Sequence, residues 1–195
     1  NQTIVSTGNN ATITVSTLVD GAFSYDLVSV QDASTTTCSQ VQTGNATVVV
    51  NPAPTATISG ALDVCIGEAD PSITFTGADG TAPYTFSYTI NGGATQTVTS
   101  VGNAATLTVS TAAAGNFSYD LVSVQDASAT ACSQVQTGNA TVVVNPLPTA
   151  TILGSVDVCE GDTDPTITFT GADGTAPYTF TYNINGGANQ TLVSV

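Results

Sequence analysis

Residues 95–195 repeat residues 1–101 at a constant offset of 94 positions, without a gap, and 76 of the 101 aligned residues are identical. Solenoids repeat every ~20–50 residues, so a period this long is a domain in its own right. Whatever fold one period adopts, the chain must adopt it in tandem. The joints are Val50-Asn-Pro-Ala-Pro-Thr55 and Val144-Asn-Pro-Leu-Pro-Thr149. Two prolines within three residues fix φ and favour an extended, semi-rigid connector. These joints divide the chain into a C-terminal half-repeat (1–50), a complete repeat (51–144) and an N-terminal half-repeat (145–195). Two periods occupy 188 residues, and the last seven, Asn189–Val195, match Asn1–Thr7. The expectation is a window on a longer array. The alternative is that each subunit lends a partial domain to its neighbour.

Composition removes several function classes. The chain has no Lys, Arg, His, Met or Trp, and 14 Asp and Glu give a formal charge of −14. Without a cation no intramolecular salt bridge between side chains forms, so stability falls to apolar burial, backbone hydrogen bonds and disulfides. Nucleic acid is excluded as a partner, because phosphate binding needs Lys or Arg to displace counterions. Electrostatic docking on an anionic membrane is excluded for the same reason, and no apolar run is long enough to span one. Disorder does not follow from the low charge, since 41% of residues are apolar and Val, Ile and Thr are dense.

One repeat reads as strands. Apolar residues alternate with period two, as half-buried strands require. Ile73 and Phe75 share a face. So do Tyr84, Phe86, Tyr88 and Ile90, then Ala105, Leu107 and Val109, then Phe117, Tyr119 and Leu121. Val122 and Val124 follow on the opposite parity, which predicts a bulge or a second covered face. Thr141–Val144 closes the unit as a more uniformly buried strand. Asn91-Gly92-Gly93 is a hairpin signal, because a primed turn needs positive φ. With strands near Thr55–Ile58 and Gln96–Val101, each unit has about seven strands. No segment carries a helical apolar period. The fold class is all-β: tandem immunoglobulin-like β-sandwich domains.

Four cysteines sit at Cys38, Cys65, Cys132 and Cys159. The expected disulfide joins Cys65 to Cys132 within the complete repeat. It would close a long loop and contribute about 4 kcal/mol in the chain-entropy model. Cys38 and Cys159 then find partners outside the window. The rival pairing is Cys38 with Cys65 and Cys132 with Cys159, which ties neighbouring domains. With no His and no close cysteine pair, zinc spacing is missing. Disulfides imply an oxidising compartment.

Cys65-Ile-Gly67 followed by Pro71-Ser-Ile-Thr-Phe-Thr-Gly-Ala-Asp-Gly-Thr-Ala-Pro-Tyr-Thr-Phe86 resembles the repeats of very large Bacteroidota cell-surface adhesins. So does Ala114-Gly-Asn-Phe-Ser-Tyr-Asp-Leu-Val-Ser-Val-Gln-Asp-Ala-Ser128, with Cys132 after it. These include the gliding-motility adhesins exported by the type IX secretion system. The resemblance covers both repeats. It implies an immunoglobulin-like or PKD-like sandwich per repeat, and long filaments on the bacterial cell surface that carry an adhesive tip or bind polysaccharide. Phe117 stands where such folds often carry a corner tyrosine.

Each chemical motif has a structural counterpart reading. Asp63, Glu68 and Asp70, with Asp157, Glu160, Asp162 and Asp164, are oxygen ligands of the kind Ca²⁺ takes. No EF-hand or nonapeptide pattern accompanies them, so a solvated acidic loop is the expectation. Asp120 and Asp126, with Asp26 and Asp32, are paired carboxylates of the kind that hydrolyse glycosides. Their recurrence in every copy suits structure better than catalysis. No serine nucleophile has a His or Lys base. Asn-x-Ser/Thr occurs at Asn1, Asn10, Asn45, Asn116, Asn139 and Asn189, read here as turn asparagines beside Thr-rich strands. No residue is assigned a catalytic, cofactor-binding or metal role.

The expected function is a structural segment of an extracellular surface filament or adhesin stalk, acting in adhesion or gliding motility, and no enzyme. Its partners are neighbouring repeats, with surface polysaccharide as a candidate ligand. Two alternatives stand beside it: a carbohydrate-binding repeat acting by avidity, and a self-assembling fibre with strand exchange.

Overall fold

The computed structural model describes residues 2–195, and all its regular elements are strands. The first half-repeat contributes β1 (Gly21–Asp26), β2 (Ser29–Gln31), β3 (Ser39–Val41) and β4 (Asn45–Val50). The complete repeat contributes β5 (Thr55–Ser59), β6 (Leu62–Cys65), β7 (Ser72–Ala78), β8 (Thr85–Ile90) and β9 (Gln96–Thr99). It continues with β10 (Ala104–Thr108), β11 (Gly115–Gln125), β12 (Ser133–Val135) and β13 (Asn139–Asn145). The last half-repeat contributes β14 (Thr149–Leu153), β15 (Thr168–Ala172), β16 (Thr179–Tyr182) and β17 (Gln190–Val193).

The complete repeat is a β-sandwich. One sheet has the order β10-β7-β5, with antiparallel pairings throughout. The other has the order β6-β13-β11-β8-β9, with β12 on the distal end of β11. Its pairings are antiparallel except β6, which joins β13 in parallel. The chain thus crosses from one sheet to the other between β5 and β6. The core lies between the sheets. Ile73 and Phe75 of β7 meet Phe86 and Tyr88 of β8, with Phe75 ring centroids 5.6 Å from Phe86 and 5.1 Å from Tyr88. Tyr119, Leu121 and Val124 of β11 and Val142 and Val144 of β13 complete it. Alternation in the sequence is what fills this layer, since successive side chains of a strand point to opposite faces.

Two local features follow from named residues. The register between β11 and β8 shifts between Leu121 and Ser123, so Val122 is the bulged residue. The extra residue is what lets both Leu121 and Val124 face the core. Asn91 and Gly92 both have positive φ, 51° and 68°, and the Gly93 amide donates to Ile90 O at 2.9 Å. That is the primed turn which the Asn-Gly pair predicts. β6 and β12 were not legible: β6 buries only Val64, and all three residues of β12 are exposed.

The outer half-repeats carry the same sequence with far less structure. β1 pairs only with β4, β2 only with β3, β14 only with β15, and β16 only with β17. Residues 10–14, equivalent to β10, and 156–159, equivalent to β6, form no strand. A strand needs a ladder partner for its amides and carbonyls. Here the equivalents of those partners lie in the opposite half-repeat. Side chains show the consequence. Leu27, Val30 and Ile167 are 53, 55 and 52% exposed, whereas their counterparts Leu121, Val124 and Ile73 are 4, 0 and 0% exposed.

Candidate functional site

The polar groups of the complete repeat gather at the two poles of the sandwich. At the pole next to the Asn51 joint, the loop after β11 folds back on itself. Asp126 Oδ1 accepts from Ser128 Oγ at 2.7 Å and from the Ser128 amide at 3.3 Å. Its Oδ2 accepts from the Thr81 amide at 3.0 Å, and the Ala127 amide donates to Thr81 O at 2.8 Å. The loop is thereby plugged into the β7–β8 turn. A Cβ on Gly80 would lie 2.9 Å from Asp126 Cβ and 3.1 Å from Pro54 Cβ, so only glycine admits this approach. Burial raises the proton affinity of Asp126. The Ser128 hydroxyl and the Thr81, Ser128 and Cys132 backbones outweigh it and hold the carboxyl below its usual range.

Tyr84 ties the same turn from inside. Its hydroxyl donates to Gly80 O at 2.9 Å and accepts from the Gly80 amide at 3.2 Å. Its ring lies flat on Gly77, where a Cβ would come within 2.6 Å. The tyrosine hydroxyl that fastens a corner in this unit therefore comes from Tyr84, not from the Phe117 position. The pole is also fastened to the joint. Asn51 Nδ2 donates to Thr130 Oγ1 at 2.8 Å, Thr130 Oγ1 lies 3.2 Å from Cys132 Sγ, and Pro54 is fully buried.

At the opposite pole the acidic residues serve the backbone. Glu68 Oε2 accepts from the Cys65 amide at 3.0 Å. Asp70 Oδ1 accepts from the Thr111 amide at 2.8 Å and from Thr111 Oγ1 at 2.9 Å. Asp162 repeats the Glu68 contact on Cys159 at 2.9 Å. No group of three potential metal ligands converges among the described residues. The other carboxylate pair is divided. Asp120 accepts from Asn139 Nδ2 at 2.7 Å, while Asp126 sits in its plug. Six residues of strand separate them by about 20 Å, beyond the ~5–9.5 Å that glycosidase carboxylates span. Asn139 and Asn45 spend their amides on neighbouring Ser and Asp side chains. Asn1 lies outside the described residues.

The expected Cys65–Cys132 disulfide is not made, and all four cysteines are free thiols. The topology explains why. Cys65 ends β6 opposite Asn145, next to the Gly115 end of β11. Cys132 precedes β12, at the Gln125 end of β11. Ten residues of strand between those ends measure about 30 Å. A disulfide needs Cα atoms within about 7 Å. Sequence separation gave no sign that the two cysteines occupy opposite poles.

The last half-repeat displays the plug's receptor without the plug. An open concavity of about 440 Å³ is lined by Pro146, Pro148, Asp173, Gly174, Pro177 and Tyr178. These are the counterparts of Pro52, Pro54, Asp79, Gly80, Pro83 and Tyr84. The first half-repeat displays the plug without a receptor. Asp32 Oδ1 accepts from Ser34 Oγ at 2.7 Å and from the Ser34 amide at 3.3 Å, and the Asp32 amide donates to Cys38 O at 3.0 Å. The Ser34 hydroxyl chiefly holds the Asp32 carboxyl below its usual range.

No family model matches the chain, and neither a curated protein nor a solved structure matches it. Among the described residues no helix is long and apolar enough to cross a membrane.

Proposed function

We propose that the chain is a structural repeat segment of a long extracellular surface filament or adhesin stalk, acting in adhesion or gliding motility on a bacterial cell surface. The observation that carries this reading is the seating of the joint. Pro54 is buried in the following unit and Asn51 is hydrogen-bonded to Thr130 of that unit. A connector fastened in this way transmits orientation from unit to unit. A flexible multivalent binder would use Gly and Ser instead.

The inventory of polar groups supports a mechanical role over a catalytic one. Among the described residues, every buried side-chain nitrogen and oxygen has a partner. Carboxylates, hydroxyls and amides are consumed in tying turns. The immunoglobulin-like reading is supported by the strand order, three strands facing a sheet that begins with a parallel β6-β13 pair. The bacterial surface assignment is supported by the resemblance of the Cys-x-Gly and Pro-Tyr-Thr-Phe motifs to gliding-motility adhesin repeats. Absence of Lys and Arg also removes every site for trypsin-like proteases. A glycan array probed with the 195-residue chain tests the proposal. The stalk reading expects no binding above background. Reproducible, competable binding to one glycan class would replace it with the carbohydrate-binding reading.

A further inference from the structure

We infer that consecutive repeats of one polypeptide are stapled across their joint by a disulfide between Cys65 of one repeat and the counterpart of Cys132 in the repeat after it. The inference rests on the stalk reading and adds a covalent lock to the joints on which that reading depends.

The complete repeat shows both sides of such a joint, one at each pole. Cys132 belongs to the leading pole. Asn51 Nδ2 donates to Thr130 Oγ1 at 2.8 Å, and Thr130 Oγ1 lies 3.2 Å from Cys132 Sγ. Only the Thr130 hydroxyl stands between the Cys132 sulfur and the side chain of the joint asparagine.

Cys65 belongs to the trailing pole. β6 runs parallel to β13 with Cys65 opposite Asn145, and the Ile66 amide donates to Asn145 O at 2.9 Å. Neighbouring strands lie about 4.8 Å apart, so Cys65 is beside the backbone of the second joint asparagine. The same register fixes where the side chains point. Val64 and Val144 lie opposite each other and both are buried. Successive residues of a strand alternate faces, so Cys65 and Asn145 both point away from the core, on one face.

Asn51 and Asn145 are one residue of the repeat, a period apart, each followed by Pro-x-Pro. A joint asparagine between two complete repeats therefore has two cysteines beside it. Cys65 of the repeat before lies against its backbone, and the Cys132 counterpart of the repeat after lies beyond its side chain, on the same face. A disulfide spans Cα atoms up to about 7 Å apart. The other pairings fail on placement. Cys65 and Cys132 of one repeat occupy opposite poles. Cys38 and Cys65 lie at the far poles of the two repeats that meet at Asn51, and Cys132 and Cys159 do the same about Asn145.

Cys65 and Cys132 are free and half-buried, within reach of a small oxidant. For each bridge two thiols lose their protons and form one S–S bond. The two electrons reduce a small disulfide such as oxidised glutathione to two thiols. The mechanical consequence is large. In a bridged run of repeats, load passes along the 27 residues from Cys132 to Cys159 and then over the next bridge, leaving the segment from Cys65 to Cys132 off its path. Such a link crosses two repeats yet reaches only about 95 Å when fully extended. Stretching a bridged run should therefore release several-fold less length per repeat than stretching a reduced one.

The test uses the chain extended after Val195 by one further period, a copy of residues 102–195. In the first variant Cys38, Cys132, Cys159 and the copy of Cys159 are replaced by serine, which leaves Cys65 and the copy of Cys132. In glutathione redox buffer each molecule should become two hydrogens lighter, lose both thiols in a thiol titration and remain a single chain in size. The second variant keeps Cys132 and replaces its copy, and its thiols should stay unbridged. The effective concentration of the two thiols, measured against glutathione, should be at least about tenfold higher in the first variant. One shared melting transition in reducing buffer is expected, since both variants keep the central core. Thiols that stay free or carry glutathione in the first variant, bridges only between separate molecules, or equal bridging in the second variant would overturn the inference. Unbridged thiols in a chain that ignores glycans remove the staple and leave the stalk reading standing. A bridged chain that binds one glycan class competably does the reverse.

Discussion

The Thr81 amide donates to the Asp126 carboxylate at 3.0 Å, across 45 residues of sequence, and closes one pole of the sandwich. The counterparts of these two residues, Asp32 and Thr175, sit in different half-repeats and do not meet. The contact is made where both halves of one repeat are present.

Asp126→Ala is expected to destabilise the central unit by about 1–3 kcal/mol, because the Thr81 and Ser128 donors lose a buried acceptor. Asp32→Ala in the monomer should leave the main transition within about 0.5 kcal/mol, as an exposed position does. Urea denaturation of both variants checks the difference, and equal losses would place the plug's contribution elsewhere.

Acid should weaken the same contact. The Asp126 carboxyl binds protons less readily in the folded state than at its unfolded value of about 3.9. Its stabilising contribution is therefore full above that value and is lost as pH falls through the lower folded value. Melting midpoints between pH 7 and pH 2 should be flat at first and decline below about pH 4. The Asp126→Asn variant should show a shallower decline.

Gly77→Ala forces a Cβ against the Tyr84 ring and should cost about 1–3 kcal/mol, the range for overpacking a core. Tyr84→Phe keeps the ring and removes the bond to Gly80, so a loss of about 1 kcal/mol is expected. Calorimetry of the two separates packing from hydrogen bonding at this corner.

Ile73→Ala should destabilise the complete repeat by about 2–5 kcal/mol. Ile167→Ala, the same residue one period later, should change the monomer's stability little, since Ile167 is half exposed there. Chemical denaturation of the two variants checks this contrast.

The sandwich was legible because most of its strands alternate: Ile73, Phe75 and Phe86 are all fully buried where period two puts them. The bulge was legible from the parity break at Val122. β6 was not, because its place is set by a parallel partner 80 residues away and only Val64 carries a core signal. The cysteine pairing failed for a related reason. Residue count between Cys65 and Cys132 says nothing about which pole each reaches, and the run of β5 and β6 along the sandwich carries Cys65 to the far one. The plug was overlooked because Asp126 reads as one member of a carboxylate pair, although Asp-x-Ser is itself the signal for a local side-chain turn.

The central claim is that each repeat is a load-bearing unit in a continuous stack. Single-molecule stretching of the chain extended by further copies of its 94-residue period in one polypeptide tests it most directly. Abrupt, evenly spaced force peaks are predicted, and each event in reducing buffer should release about 300 Å, the extended length of one 94-residue period less its folded span. A smooth extension without peaks would contradict the account, because it would mean that the repeats resist no load.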